Sequence, residues 1–406
     1  MRYLNYKKNF MLNNVVEHYK GKLKSSLDDI DPQAVGIIKK LKDAGFDGYI
    51  VGGAVRDLLV DLKPKDFDIA TNATPQEVRK KVPYCFVIGR RFKLVHARRG
   101  EKIFEIATYR REATQEELAS ENGVDLTFVE ENFFGTLQED AFRRDFTVNA
   151  LFYDPLAENL VDHCNGLQDI HSQMIRMIGN PTERIKEDPI RILRALRLSQ
   201  KLGFQIESDL RQSISENSDL LIRGVLPRRR EEWLKFFKLP SIEMSLMEMF
   251  DLQIFKHVLP AFHELFENET ERENFLAYIR KASRLNFDLS QPTVIFSFVI
   301  YSFLLAKYEF PQKINLIEIF DNTRFLLFCK EELGVYKVEL TAIQIALQHV
   351  HVLQRQENYL KKGERRQKAL LNNPHFDLAL QLGLLSGELT AQDQVFWEEQ
   401  KNLHHI

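Results

Sequence analysis

Two acidic side chains two residues apart, Asp66 and Asp68, follow shortly after a glycine pair, Gly52-Gly53. On a strand, side chains two apart share a face. Both carboxylates can therefore converge while Phe67 points into a core. Converging oxygen donors suit a divalent cation and the phosphates it accompanies. A glycine pair lets backbone N–H groups approach a phosphate with no Cβ in the way. Glu105 stands mid-strand among apolar residues, where an unpaired charge is costly. It is a geometric candidate for a third carboxylate, and an ion pair to Arg90, Arg91 or Arg110 is the other reading.

Two more charged groups lie downstream. Arg143-Arg144-Asp145-Phe146-Thr147-Val148-Asn149 sets paired arginines beside a carboxylate. Such a set can hold a triphosphate and a ribose or base edge, or form a surface ion-pair network. Glu187, Asp188 and Arg191 then fall three and four residues apart, so all three share a helix surface. Arg194 and Arg197 continue at helical spacings. One carboxylate and one guanidinium can read a base edge, or they can simply stabilise the helix.

The elements that must position these groups are legible. Pro32 to Asp43 has helical spacing, with Gly45 just past its end. Tyr49 to Val51 reads as a strand, and Ala54 to Leu62 as a helix. Asn72-Ala73-Thr74-Pro75 reads as a cap, and Glu77 to Lys81 continues as a helix. Phe86 to Gly89, Leu94 to Arg98 and Ile103 to Thr108 read as strands, the last with Ile103, Glu105 and Ala107 on one face. Arg110 to Glu131 is acidic and polar and reads as a surface loop. Phe134 to Asp154 reads as a charged helical stretch running into an apolar one. Asn165-Gly166 reads as a turn, and Gly166 to Gly179 as a hairpin or strand segment. From Pro181 helical period dominates. A single helix is expected over Ile185 to Leu202, with breaks near Asn286 to Pro292 and Pro311 to Lys313. The expected fold class is α+β: a head with a small mixed or antiparallel sheet, then an all-helical neck, body and C-terminal region.

At 406 residues, 44% hydrophobic and 28% charged, the chain has room for two or more domains. The expected division is an extension over 1–30, a head over 31–155, a neck over 156–240 and a helical body over 241–406. A net charge of -2 means that any nucleic-acid site must concentrate positive charge locally. Three scattered cysteines lack zinc spacing and suggest a reducing compartment, with cytoplasm the default. The 30 phenylalanines suggest core packing rather than base stacking. No apolar run is long enough to span a bilayer, so no membrane partner is expected.

The strand, Gly-Gly, Arg-Asp and Asp-x-Asp series over Gly48 to Thr71 resembles the head of the polymerase-β-type nucleotidyltransferases. With the Arg-Arg-Asp and Glu-Asp-x-x-Arg stretches in the same order, the chain is similar to class II tRNA CCA-adding enzymes and bacterial poly(A) polymerases from about Pro32 to Phe204. The resemblance implies Mg2+ at Asp66 and Asp68, and a catalytic role for Asp145. It implies nucleotide contacts from Gly52, Gly53, Arg56, Arg144, Asn149, Glu187, Asp188, Arg191, Arg194 and Arg197. Glu187, Asp188 and Arg191 would serve as a protein template for the incoming base.

Val87 to His96 looks like the stretch found in bacterial poly(A) polymerases, with Arg90, Arg91 and Lys93 as RNA contacts. So does the C-terminal region, where Lys361, Lys362, Arg365, Arg366 and Lys368 cluster. Each of those cations has a solvated surface as its alternative, and Arg228-Arg229-Arg230 has a surface turn. The implied activity is template-independent transfer of AMP from ATP to single-stranded RNA 3′ ends. The alternatives are a CCA- or A-adding tRNA enzyme, or an inactive RNA-binding relative. The chain stops at His404-His405-Ile406 without the family's long basic tail, so weaker and more salt-sensitive RNA binding is expected.

Overall fold

The computed structural model describes residues 19, 21–22, 29–89, 94–112, 133–308, 310 and 315–405. The chain divides into two compact units. One comprises Met1–Arg184 and Leu202–Ser213, the other Ile185–Lys201 and Ile214–Ile406. The expected loop over 110–131 lies mostly outside the described residues, as do Pro311 to Lys313 and nearly all of 1–30.

The first unit is built on one sheet. Its strands are β1 (Tyr49–Val51), β2 (Asp68–Thr71), β3 (Cys85–Ile88), β4 (Leu94–Arg99), β5 (Lys102–Thr108), β6 (Leu151–Asp154) and β7 (Asn159–Asp162). They lie in the order β3-β4-β5-β2-β1-β6-β7. β2 and β5 are parallel, and the other neighbours are antiparallel. The mixed sheet expected from the sequence is present, but β6 and β7 are additions to it. All four residues of β6 are buried. A strand covered on both faces shows no alternation, and a short apolar run cannot be told from a buried helix by period alone. The helical part of that stretch is confined to Leu137–Phe142, which opens on a Thr136–Glu139 capping box.

Alternation separates the two faces of the sheet. Ile50, Ile69, Val95, Phe104 and Ile106 are fully buried on one of them. The helices Pro32–Asp43 and Pro75–Lys81 pack there. The first is capped by Asp31, whose side chain accepts from the Gln33 N–H. The second is opened by a Thr74–Glu77 capping box. On the other face, small and aromatic residues (Val51, Ala70, Ala141, Ala150 and Phe152) form a local core, which ends where β3 to β5 turn polar.

Gly166 to Gly179 departs from the expected hairpin. Gly166–His171 is a helix, and Met174–Ile175 pairs in parallel with Gln205–Ile206. The Asp162 carboxylate accepts from the backbone N–H groups of Cys164, Gly166 and Leu167, which starts the helix. Glycine is required at 166 because a Cβ there would lie 2.2 Å from the Thr147 carbonyl oxygen.

The second unit is helical, as expected. The single helix foreseen over Ile185 to Leu202 is broken, into Pro181–Glu187 and Ile190–Leu202. Asp188 precedes Pro189, and a residue before proline is pushed out of helical conformation. The expected break before Pro292 is present, and Pro292–Lys307 is buried along nearly its whole length. Phenylalanines fill this unit's core. The Phe262 ring lies within 6.4 Å of those of Phe266, Phe275, Phe303 and Phe328. Among the described residues no helix is long and apolar enough to cross a membrane, and all three cysteines are free.

Candidate active site

Strand register assembles the first set of residues. Phe86 on β3 is opposite His96 on β4, and His96 is opposite Glu105 on β5. The parallel pairing of Ile69 with Ile106, taken one residue back, sets Asp68 beside Glu105. Asp68 in turn faces Val51, and Val51 faces Phe152. Directly opposite residues project to the same side of a sheet, so one row of side chains runs from the edge strand through the carboxylates. Asp66 lies just before β2 rather than on it, and Phe67 between the two aspartates is buried.

Asp68 keeps water-accessible surface at the start of β2. Desolvation there and repulsion from Glu105 push its carboxyl up to about 6, against the pull of Arg144; Asp66 adds to the rise. Glu105 is half-exposed, and His96 Nε2 is 3.4 Å from it. His96 is thus the neighbour that register gives Glu105; of the arginines considered from sequence, Arg90 and Arg91 lie outside the described residues. An open cavity of about 910 Å³ adjoins Asp66, bordered by Lys63, Lys65 and Ile103 among others.

The second set surrounds the glycine turn. Gly52 has φ 67° and ψ -126°, a conformation that glycine adopts at little steric cost. A Cβ there would lie 3.2 Å from Arg144 Nη1. The helix that follows, Gly53–Leu59, has no side-chain cap at its start. Arg56, expected at the triphosphate, is buried, and its guanidinium donates to Asp57 and to the Asn149 side-chain oxygen. Asn149 Nδ2 donates to Asp145 Oδ1 at 3.1 Å, and that oxygen also accepts from the Phe146 N–H.

Arg144 donates to Asp140 at 2.9 Å and to the Asn149 carbonyl at 3.3 Å. Its guanidinium lies 4.8 Å from the centre of the Phe152 ring, on the face that carries Asp68. Sequence reading passed over Asp140, although its spacing four residues before Arg144 is the signal of an i,i+4 pair. It also passed over Arg184, which donates to the carbonyls of Arg143 and Arg144 and so holds that turn; no local signal marks it.

The remaining candidates lie elsewhere. Glu187, Asp188, Arg191, Arg194 and Arg197 fall in the second unit. Glu187 and Arg191 pair at 2.8 Å despite the helix break. Asp188 is gripped by both terminal nitrogens of Arg228, at 3.0 and 2.7 Å. Arg197 donates to the buried Glu232 at 2.6 Å, and Arg194 is close enough to act on the same carboxylate. Arg228 to Arg230 is not a surface turn. The helix Leu226–Phe236 carries it, and Arg230 is buried against Glu339 and Tyr336. Arg90, Arg91 and Lys93 lie outside the described residues. Lys361, Lys362, Arg365 and Arg366 are all exposed, around the start of the helix Glu364–Leu371.

Among the described residues no three His, Cys, Asp or Glu side chains gather tightly enough to cage a metal by themselves. Asp66 and Asp68 nevertheless fit a magnesium ion. This small, hard cation is held by one or two carboxylates with the substrate's phosphates and waters, not by an all-protein cage. The mutual repulsion at Asp68 is what a cation between the carboxylates would relieve.

Comparison with known proteins agrees with this geometry. Residues 48–176 match the family described as Poly A polymerase head domain. Residues 203–266 match the one described as probable RNA and SrmB- binding site of polymerase A. Poly(A) polymerase I of Salmonella typhi is 37% identical over 261 residues, covering 63% of this chain and 56% of that protein. Poly(A) polymerase I of Escherichia coli O6:H1 is 35% identical over 297 residues, covering 71% and 63%. The chain thus matches less than two thirds of the length of these relatives. The crystal structure of Bacillus stearothermophilus CCA-adding enzyme in complex with CTP shares the fold, with a TM-score of 0.55 at 23% identity over 92% of this chain and 98% of that one.

Proposed function

We propose that this chain, which belongs to the family of bacterial poly(A) polymerases and class II CCA-adding enzymes, is a template-independent polynucleotide adenylyltransferase. It transfers AMP from ATP to the 3′-hydroxyl of RNA and releases pyrophosphate. The observation that carries the chemistry is the row that sets Asp68 beside Glu105 and next to Asp66. The choice of adenylate alone rests on similarity to the two poly(A) polymerases.

In this reading the 3′-oxygen attacks the α-phosphorus, and the bond to the β-phosphate oxygen breaks. Magnesium at Asp66 and Asp68 would supply charge neutralisation and lower the hydroxyl's pKa. The chain's own part is positional. The Gly52-Gly53 turn, having no Cβ, lets the Arg144 guanidinium lie close to the backbone. Arg144, fixed by Asp140 and Phe152, presents positive charge on the carboxylate face, where a triphosphate's charge would be matched. Arg56 and Asp145 brace Asn149 from opposite sides. Glu187, Asp188 and Arg191 select the base from the second unit, and the exposed Lys361 to Arg366 cluster tracks the RNA backbone. A cytoplasmic setting belongs to the same reading and fits the three free thiols.

The test is extension of a generic RNA and of a tRNA lacking its 3′ end, with each NTP supplied singly. Long tails on generic RNA from ATP alone are expected. Addition limited to the tRNA, with CTP used, would replace this reading with the CCA-adding one. No addition to either RNA would leave an inactive RNA-binding relative.

A further inference from the structure

The outer end of the cross-strand row is left unexplained by the chemistry. β3 is the edge of the sheet, and Phe86 on it is 60% exposed. Ile88, two residues on and so on the same face, is 46% exposed. Ile103 on β5 is 58% exposed, and it faces Arg98 on β4, which is exposed too. On the opposite face Val95, Ala97, Phe104 and Ile106 are buried, while Val87 at the edge is exposed. An edge strand with large apolar side chains in water is an aggregation liability that folded proteins suppress.

We propose that the open face of β3 to β5, centred on Phe86, is a stacking platform for the last nucleotides of the RNA primer. Three features commit it to single-stranded RNA. First, Phe86 stands beside His96, with Arg98 two residues along on the same side and Glu105 beyond His96, so an exposed aromatic ring and a guanidinium, groups that hold unpaired bases and their phosphates, share the face. Second, the row is continuous with the carboxylates. Phe86 is three strand spacings from Asp68, about 15 Å, within reach of a few extended nucleotides. Third, Ile103 both belongs to this face and borders the cavity that Asp66 also lines. Base-on-aromatic stacking tolerates any sequence, as an enzyme acting on many RNA ends requires. The inference rests on the adenylyltransferase reading for its substrate.

The test uses the full chain and two variants, Phe86→Ala and Phe86→Trp. For Phe86→Ala the KM for an oligo(A) primer should rise about tenfold, the size of one lost stack, with kcat and the KM for ATP within twofold of the parent. Phe86→Trp should restore the primer KM. The chain's own tryptophans, Trp233 and Trp397, are buried, so the new exposed indole reports directly, and oligo(A) should quench its emission. An unchanged primer KM in Phe86→Ala, equal losses in both variants, or an indole indifferent to oligo(A) would overturn the platform. So would dimerisation abolished by Phe86→Ala at unchanged primer KM, which would assign the face to a second copy. The quenching needs no turnover. A Phe86→Trp chain whose exposed indole was quenched by oligo(A), while neither it nor the parent added a nucleotide, would keep the platform and discard the adenylyltransferase reading.

Discussion

At the scale of single residues, the sequence singled out Asp66 and Asp68 by their spacing beside a glycine pair, and Glu105 as a carboxylate set mid-strand among apolar residues. It could not name their partners, which depend on register. His96 meets Glu105 only because β4 pairs with β5, and Asp68 meets Glu105 only because β2 runs parallel to β5. Their crowding has a sign that can be tested. The unfolded Asp68 carboxyl titrates near its ordinary 3.8, the folded one near 6. Between those values the folded chain keeps a proton that the unfolded chain has released. The stability due to the neutral acid is therefore fully present below about pH 4 and lost as pH rises through about 6. Without divalent cations at neutral pH, Asp68→Asn should melt roughly 2 °C or more above the parent, a gain kept modest by the residue's solvent access. The difference should close as pH falls towards the unfolded pKa. A variant that melts no higher at neutral pH would mean that the carboxylates are not crowded.

At the scale of elements, helices with caps and one apolar stripe were the readable ones. Helical spacing with Gly45 past its end announced Pro32 to Asp43, and Thr74 before Pro75 announced the next. β6 and β7 were not readable: β6 is buried at all four positions and shows no period, and β7 is only four residues long. The helix break at Asp188-Pro189 was written in the sequence, but an unbroken helical pattern on both sides outweighed it. Its consequence is that Asp188 takes Arg228 from a separate helix as its partner, where the sequence had set it with Arg191. That exposed pair contributes about 1 kcal/mol or less to stability, but it holds a carboxylate assigned to base choice. Arg228→Ala should therefore leave the melting temperature nearly unchanged. It should shift the ratio of kcat/KM for ATP over CTP by about tenfold. An unaltered ratio would remove Asp188 from base recognition.

At the scale of the whole molecule, a net charge of -2 hides any local site for a polyanion. Of the basic clusters visible in sequence, Arg228 to Arg230 is split: Arg230 turns inward to Glu339, while Arg228 stays exposed on Asp188. Lys361, Lys362, Arg365 and Arg366 stayed exposed, and only coordinates distinguish the two outcomes. Replacing those four by alanine should weaken RNA binding and lower the slope of log affinity against log salt by up to about 3. An unchanged slope would make them a solvated surface. The claim on which the rest depends is that Asp66 and Asp68 hold the divalent cation that meets the reacting phosphate. Single-turnover AMP addition to an RNA primer at saturating ATP and Mg2+ tests it most directly. The prediction is that Asp68→Asn, still folded by its melting curve, falls below about one-thousandth of the parent rate. A folded Asp68→Asn that extends RNA at a rate close to the parent's would contradict it.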